Sequence, residues 1–306
     1  MKIISRFLIL AALLIPRSLL YGQITFPTAA PSDERPGIFA FTNATIFLDY
    51  KTRIEAATLL IRDGKVEACG VKVTIPNGTV VIDCTGKTIY PAFIDLYALD
   101  YGLPASPPQS GGGGQSQRPP QPLSNKKGAY SWNEALKPEF NAAEVFSNDT
   151  KSAEELRKLG FGTVVTHKAD GISRGTGALV ALADVREHQD IIVPQAAHFL
   201  SFRKGSSTQN YPASLMGCIA LIRQTYLDGQ WYKTEGYKEE RNLSLEAWNA
   251  VQGLPQIFEA SDKLDILRIA QIGKEFNIRY LVKTAGDEYQ RLDAVKASGQ
   301  RLIVPL

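Results

Sequence analysis

Three polar residues follow apolar, β-branched runs at points where a strand would end: Asp95, His167 and Glu259. Carboxylates and imidazoles are side chains that commonly exchange protons with a substrate in general acid–base catalysis. In α/β proteins the carboxyl ends of the strands meet at one edge of the sheet, and active sites lie there. We therefore take these three residues as the candidate catalytic groups.

Each candidate also has a structural interpretation. Asp95 could accept a hydrogen bond at its strand end, and Glu259 could form a buried ion pair with Lys283 on the neighbouring strand. His167 is one of three histidines, and no two of them share a spacing that would place both on one metal ion. Lone histidines are often structural or surface residues. Both interpretations stay open for all three residues.

The elements that would carry these residues fall into two regions. Residues 36–88 show short β-like runs separated by turn residues, which is typical of a small β-sandwich or an incomplete barrel. Within them, Asp63-Gly64 predicts a tight hairpin turn. Helices and strands alternate from residue 89 to 306, which favours an α/β fold with a parallel sheet and right-handed crossovers. The apolar spacing over residues 142–159 predicts one helix that Gly160 ends.

Two glycine-rich segments interrupt this pattern. Residues 104–127 are rich in Gly, Pro and Gln, so we expect a long flexible loop that cannot bury enough apolar surface to become ordered. Asp170 to Gly177 follows a predicted strand, and we interpret it as a loop on the active face of the sheet. It lacks the lysine and the serine or threonine of a nucleotide-binding loop.

The overall composition excludes some classes of function. Lys and Arg together number 34 against 31 Asp and Glu, without a dense basic block, so a nucleic-acid partner has little electrostatic support. The 3 cysteines show no CxxC spacing, which indicates neither a zinc knuckle nor a disulfide-dense scaffold.

The N-terminus has the pattern of a secretory signal. Lys2 and Arg6 precede the apolar run Phe7 to Ile15, which is too short to span a bilayer. We expect residues 1–22 to be a signal peptide and the mature protein to be periplasmic or extracellular. No later segment is long and apolar enough to cross a membrane, so we expect no span after cleavage.

The run Gly86 to Asp95, reading GKTIYPAFID, resembles the strand that opens the catalytic domain of the amidohydrolase superfamily, in particular its exported imidazolonepropionase-like members. Leu156 to Val165 resembles the helix and second strand of the same proteins. The resemblance implies a (β/α)8 TIM-type barrel preceded by part of a β-sandwich that both chain ends build. Since only five or six barrel strands are apparent over residues 89–306, we expect an incomplete barrel and the N-terminal portion of a longer protein.

Members of this family hydrolyse C–N bonds with a divalent metal such as zinc, which lowers the pKa of a bound water. Their first metal ligands are a His-x-His pair directly after the Ile-Asp. Here those two positions are Tyr97 and Leu99. Leucine cannot bind a metal, and a neutral tyrosine is a poor ligand, so we predict no metal cofactor for this chain.

Two functions follow from the resemblance. The first is hydrolysis of a small-molecule amide or peptide-like substrate, which the lost ligands make difficult for this segment alone. The alternative is a non-catalytic domain of a longer exported protein, with a structural or partner-binding role. In either case the expected partner, besides any substrate, is the C-terminal remainder of its own chain.

Overall fold

The computed structural model of the chain describes residues 37–106, 123–183 and 187–305. The chain divides between Pro91 and Ala92 into two compact units. The predicted signal peptide 1–22 lies outside the described residues, and so does most of the predicted loop 104–127. Among the described helices, none combines the length and the apolarity needed to span a bilayer.

The described part of the first unit contains one sheet of five strands, in the order β3-β2-β1-β4, with β5 also paired to β1. Neighbours β1, β2 and β3 run antiparallel, whereas β4 and β5 run parallel to β1. Only one layer of the predicted sandwich is present among these residues, so the second layer stays a prediction. The strands are β1 Ile38–Phe47, β2 Arg53–Arg62, β3 Lys65–Gly70, β4 Val80–Asp83 and β5 Thr88–Ile89.

The hairpin predicted at Asp63-Gly64 is present. Arg62 of β2 pairs with Lys65 of β3, and the two residues between them have φ values of 50° and 73°. Positive φ at both central residues is the geometry that matches the twist of the flanking strands. One face of this sheet buries an apolar cluster that includes Ala44 and Ile46.

The second unit contains a seven-stranded sheet whose spatial order follows the chain from β6 to β12. Its strands are β6 Phe93–Leu99, β7 Phe161–His167, β8 Ser173–Ala181, β9 Ile191–Ser201, β10 Gln256–Glu259, β11 Tyr280–Lys283 and β12 Arg301–Ile303. Its helices are α1 Ala142–Val145, α2 Thr150–Lys158, α3 Glu187–Asp190, α4 Leu215–Thr234, α5 Leu243–Ala250, α6 Lys263–Phe276 and α7 Leu292–Ser298. Seven strands exceed the five or six that the sequence suggested.

The prediction of a wholly parallel sheet is wrong at β8, which runs antiparallel to both β7 and β9. The other neighbouring pairs are parallel. A parallel connection needs a crossover of about a dozen residues or more. Only the short segment between His167 and Ser173 joins β7 to β8, so the chain reverses direction there instead of crossing the sheet.

The prediction of one helix over residues 142–159 is also wrong, because the segment forms α1 and α2. Phe146 is extended at the end of α1, with ψ of 134°. Asp149 then caps α2, since its carboxylate accepts the backbone N–H of Ser152. Aspartate competes with helical backbone bonding inside a helix and stabilises a helix start, so it favours a break here.

Neighbouring residues of the strands point to opposite faces of the sheet, as the strand repeat requires. Leu200 and Phe258 pack into the core that α4 and α6 cover, together with helical residues such as Ile222. Their neighbours Phe199 and Ile257 belong to a separate cluster. The sheet is therefore buried on both faces, and the second face carries the side chains described next.

Candidate functional site at the strand ends

Four polar or aromatic side chains meet at one edge of the seven-stranded sheet. Tyr97, His167 and Glu259 lie at or near the carboxyl ends of β6, β7 and β10. Arg174 joins them from the beginning of β8. Because β8 is antiparallel to its neighbours, its first residues lie beside the last residues of β9, as the pairing of Ser173 with Leu200 shows.

Arg174 is the centre of this site. Its Nη1 donates to the Tyr97 hydroxyl at 2.9 Å, and its Nη2 donates to Oε2 of Glu259 at 2.5 Å. Its Nε donates to the backbone carbonyl of Gly171 at 3.4 Å. Only 2% of the side chain of Arg174 is exposed, against 21% of that of Glu259. Charge-assisted hydrogen bonds of this kind are about twice as strong as neutral ones.

The electrostatics of the site depend on this ion pair. Burial alone would raise the pKa of Glu259, but the charge and hydrogen bond of Arg174 outweigh it and hold that pKa below its ordinary value. Burial raises the pKa of Tyr97 despite the opposing effect of Arg174. The site therefore holds an ionised carboxylate, a guanidinium and a neutral phenol at neutral pH.

His167 is fully buried between two aromatic rings. Its ring lies 3.7 Å from that of Phe199 in a parallel stack and 4.4 Å from that of Tyr97. Neither ring nitrogen has a hydrogen-bond partner among the described residues. Burial and the nearby Arg174 hold the pKa of His167 well below its ordinary value, so the imidazole is neutral. It is near the ion pair but has no exposed surface through which to exchange a proton.

The prediction of an ion pair between Glu259 and Lys283, offered as the structural interpretation of Glu259, is wrong. Glu259 pairs with Arg174, although Lys283 occupies the matching position on the adjacent strand β11. The Nζ of Lys283 instead donates to the carbonyl of Thr284 at 2.9 Å and lies 5.6 Å from the centroid of the Tyr97 ring.

Asp95 and Leu99 lie on β6 but outside the network around Arg174. The carboxylate of Asp95 accepts the backbone N–H of Tyr97 at 2.8 Å, which is the strand-end acceptor role considered from the sequence. Leu99 pairs with His167 in the sheet, and 51% of its surface is exposed. Of the three candidate catalytic residues, the structure brings His167 and Glu259 near each other and leaves Asp95 apart.

The interpretation of Asp170 to Gly177 as a loop is wrong for its second half, since Ser173 onwards is strand β8. Gly175 has φ of +75°, and a Cβ there would lie 2.1 Å from the carbonyl oxygen of Phe140. The glycines thus serve close packing and not ligand approach. Arg174, which sequence reasoning missed, is the long polar residue within this buried glycine-rich strand.

His198 has a structural role in the same sheet. Its ring nitrogens lie 2.9 Å from the hydroxyl of Ser173 and 2.7 Å from the side-chain oxygen of Gln256. Burial lowers its pKa to about 4, despite the opposing effect of the hydrogen bond that the side-chain oxygen of Gln256 accepts. This second histidine is therefore a satisfied core residue that holds β8, β9 and β10 together.

An amidohydrolase from Thermotoga maritima superposes with a TM-score of 0.67 at 22% identity, over 87% of this chain and 70% of that one. The chain has the fold of the amidohydrolase superfamily. The resemblance predicted from Gly86 to Asp95 is thereby confirmed at the level of the fold.

Other solved structures match this chain with lower TM-scores. A putative prolidase from Bifidobacterium longum has a TM-score of 0.38 at 12% identity, over 86% of this chain and 53% of that one. An N-acyl-D-glutamate deacylase from Bordetella bronchiseptica, solved with zinc, has a TM-score of 0.40 at 13% identity, over 87% and 57%. The chain matches no protein-family model and no curated protein.

The side chains at the strand ends do not fit the divalent metal that this fold implies. Tyr97 carries a neutral hydroxyl bonded to a guanidinium, and Leu99 offers no donor atom. The carboxylate of Glu259 already faces the positive charge of Arg174. Within the described residues, no three His, Cys, Asp or Glu side chains lie close enough together to hold a metal ion.

Proposed function

We propose that this chain is a non-catalytic domain of the amidohydrolase fold, in which an arginine–glutamate ion pair occupies the position of the metal centre. Its role is structural support or partner binding within an exported protein. The observation that carries the proposal is the contact of Arg174 with both Tyr97 and Glu259 at the strand ends. A guanidinium held at this position repels a divalent cation, and it already pairs with the carboxylate that would otherwise bind the cation.

We also propose that the seven strands belong to an incomplete (β/α)8 barrel and that the first unit contributes to a β-sandwich. The sequential order of the strands supports the barrel, because barrel strands are neighbours in chain order. The burial of both sheet faces supports it too. The basic and apolar pattern of residues 1–22 supports export to the periplasm or the extracellular space.

A second candidate function is hydrolysis of a C–N bond in a small amide or peptide-like molecule. It is favoured by the gathering of Tyr97, His167, Arg174 and Glu259 at the carboxyl edge of the sheet, where proteins of this kind place their chemistry. This candidate needs either a metal held by other groups or a proton transfer by Glu259 without one.

Metal analysis combined with an activity screen distinguishes a non-catalytic domain from a C–N hydrolase. The purified full chain is incubated with zinc, dialysed and analysed for bound metal, then assayed on dipeptides, N-acyl amino acids and cyclic amides. We expect neither stoichiometric zinc nor turnover. Stoichiometric zinc that Glu259→Gln abolishes, while the exposed control Glu275→Gln retains it, would overturn the proposal. Turnover that depends on Glu259 would establish the second candidate instead.

A further inference from the structure

The second unit contains a cavity of about 460 Å³ whose wall includes Leu136 and Asn141, two residues that form β-bridges to strand β8. This volume lies within the range of pockets that hold small molecules. Residues 126–145 form most of its wall, and Ser206, Ser207 and Ser244 complete it. None of the residues of the Arg174 network lines it, so the cavity is a separate feature of the molecule.

The charged residues of the cavity wall leave an excess of negative charge. Three glutamates and two lysines line it. Lys137 is neutralised by Asp170, which lies outside the wall, and Lys126 pairs with Glu139. Two glutamates therefore face the cavity without a cationic partner among the described residues.

These two carboxylates are Glu134 and Glu144, and each is held by neutral donors only. Glu134 accepts the backbone N–H of Asn125 at 2.7 Å and the hydroxyl of Ser124 at 3.4 Å. Glu144 accepts a side-chain N–H of Asn141 at 3.2 Å. Hydrogen bonds fix the carboxylates in place without cancelling their charge, so the potential in the cavity favours a cation.

Lys126 shows what kind of cation suits the wall. Its ammonium group lies 3.7 Å from the centroid of the Tyr130 ring and contacts the carboxylate of Glu139. An aromatic face together with a carboxylate is a combination that recognises an ammonium ion. The side chain of Lys126 is 41% exposed, so it can leave this position at little cost in buried contacts.

Part of the wall is apolar, between the charged residues and the serines and asparagines. Leu136, Phe140 and Val145 line the cavity beside the glutamates. A ligand that satisfies both parts has a positively charged end and a short hydrocarbon chain. We propose that this cavity binds a primary alkylammonium group, such as a small amine or the side chain of a lysine, with Lys126 as its intramolecular competitor. The proposal does not depend on whether the strand-end site is catalytic.

Calorimetric titration of the full chain with n-butylammonium chloride at neutral pH and low salt tests this site. The double variant Glu134→Gln/Glu144→Gln keeps the hydrogen bonds but removes both charges, and we expect it to bind about tenfold more weakly or worse. Lys126→Ala removes the competitor and is expected to bind more tightly than the wild type. Glu154→Gln, on the exposed face of α2, is the control and is expected to bind like the wild type.

Sodium butyrate, which has a carbon chain of the same length and the opposite charge, is titrated in parallel. We expect no binding of butyrate. The proposal is overturned if n-butylammonium binds neither the wild type nor Lys126→Ala. It is also overturned if the double variant binds as tightly as the control variant, or if butyrate binds as tightly as the amine.

Discussion

Replacing Arg174 by methionine tests whether the ion pair supports the sheet edge. Methionine keeps an unbranched apolar stem that ends about where Nε of the arginine lies, and it removes the charge and all three hydrogen bonds. Glu259 would then be a largely buried carboxylate without a cationic partner. The Tyr97 hydroxyl would lose its donor as well.

The size of the effect follows from the burial of the pair. Removing one partner of a buried ion pair costs about 3–5 kcal/mol, because the remaining charge is left uncompensated. Since 21% of the Glu259 side chain is exposed, water can reach part of the carboxylate, and we expect the lower end of that range. A loss of about 3 kcal/mol leaves the protein folded if its stability lies in the usual range of about 5–15 kcal/mol.

Urea unfolding at a series of pH values measures this loss and reveals its origin. In the wild type the pKa of Glu259 is lowered, so the ion pair adds stability above the unfolded value near 4.5, and this stability fades as the pH falls below it. In Arg174→Met the two largest effects that oppose burial are gone and only the smaller ones of Arg203 and Tyr97 remain, so we expect burial to raise that pKa. The variant should therefore gain stability relative to neutral pH as the pH falls towards 4.5.

Two variants serve as controls. Arg223→Met breaks an ion pair with Glu275 in which the arginine is 52% exposed, and such pairs contribute less than about 1 kcal/mol. Arg174→Met/Glu259→Gln removes the unpaired charge and should recover part of the loss. A stabilising role of the Arg174–Glu259 pair is refuted if Arg174→Met costs no more stability than Arg223→Met, or if the stability of Arg174→Met falls with pH as that of the wild type does.

Three further predictions concern the same sheet, and denaturant unfolding checks each. His167→Phe is expected to change the free energy of unfolding by less than about 1 kcal/mol, because neither ring nitrogen has a hydrogen-bond partner among the described residues. His198→Phe removes two hydrogen bonds and should lower the free energy of unfolding by about 2–3 kcal/mol. Equal losses in the two variants would contradict this prediction. The pKa of His198 falls from 6.5 to about 4 on folding, so up to about 3 kcal/mol of stability should disappear as the pH drops from 6.5 to 4, but not in His198→Phe. Gly175→Ala should cost about 2–3 kcal/mol of stability, because its Cβ would collide with the backbone carbonyl of Phe140. Gly299 has a similar φ but open space around it, so Gly299→Ala should cost about 1 kcal/mol. A loss at Gly175 no larger than that at Gly299 would refute the packing argument.

The features of the fold that could be predicted from the sequence are those fixed by local chemistry. Asp63-Gly64 predicted the hairpin because both residues tolerate positive φ. The run from Gly86 to Asp95 indicated the start of the second unit through its resemblance to the strand that opens the catalytic domain, and the unit boundary falls within it, between Pro91 and Ala92. The positions of Tyr97 and Leu99 followed directly from this run.

The partner of Glu259 could not be predicted, since it depends on β8 being a strand that runs antiparallel to its neighbours. The sequence offered Lys283 as a possible partner, and this residue lies on the adjacent strand β11 in the matching register. Arg174 lies two strands away on the other side, about 10 Å at the usual strand spacing. Two long side chains close that gap, but only because β8 runs antiparallel and brings its beginning to the carboxyl edge.

The glycines around Arg174 are the reason that the beginning of strand β8 was interpreted as a loop. A glycine-rich sequence ordinarily indicates a loop, because glycine loses the most conformational freedom when it becomes ordered. Here Gly175 and Gly177 lie where a Cβ would collide with the Phe140 carbonyl and with the Phe199 ring. Tertiary packing therefore overrides the local preference, and no local pattern in the sequence distinguishes the two cases.

In the proposed function, an arginine replaces the metal ion of the strand-end site. This replacement would keep a fixed positive charge at the site and would remove the metal-bound water. A guanidinium supplies a fixed positive charge with several directed donors, so it can hold Glu259 ionised and join β6, β8 and β10 at their ends, as a bound cation would. It has no vacant coordination position, however, and it cannot lower the pKa of a bound water as a divalent metal does. Under this proposal the arginine keeps the three strand ends joined but supplies none of the chemistry of a bound metal.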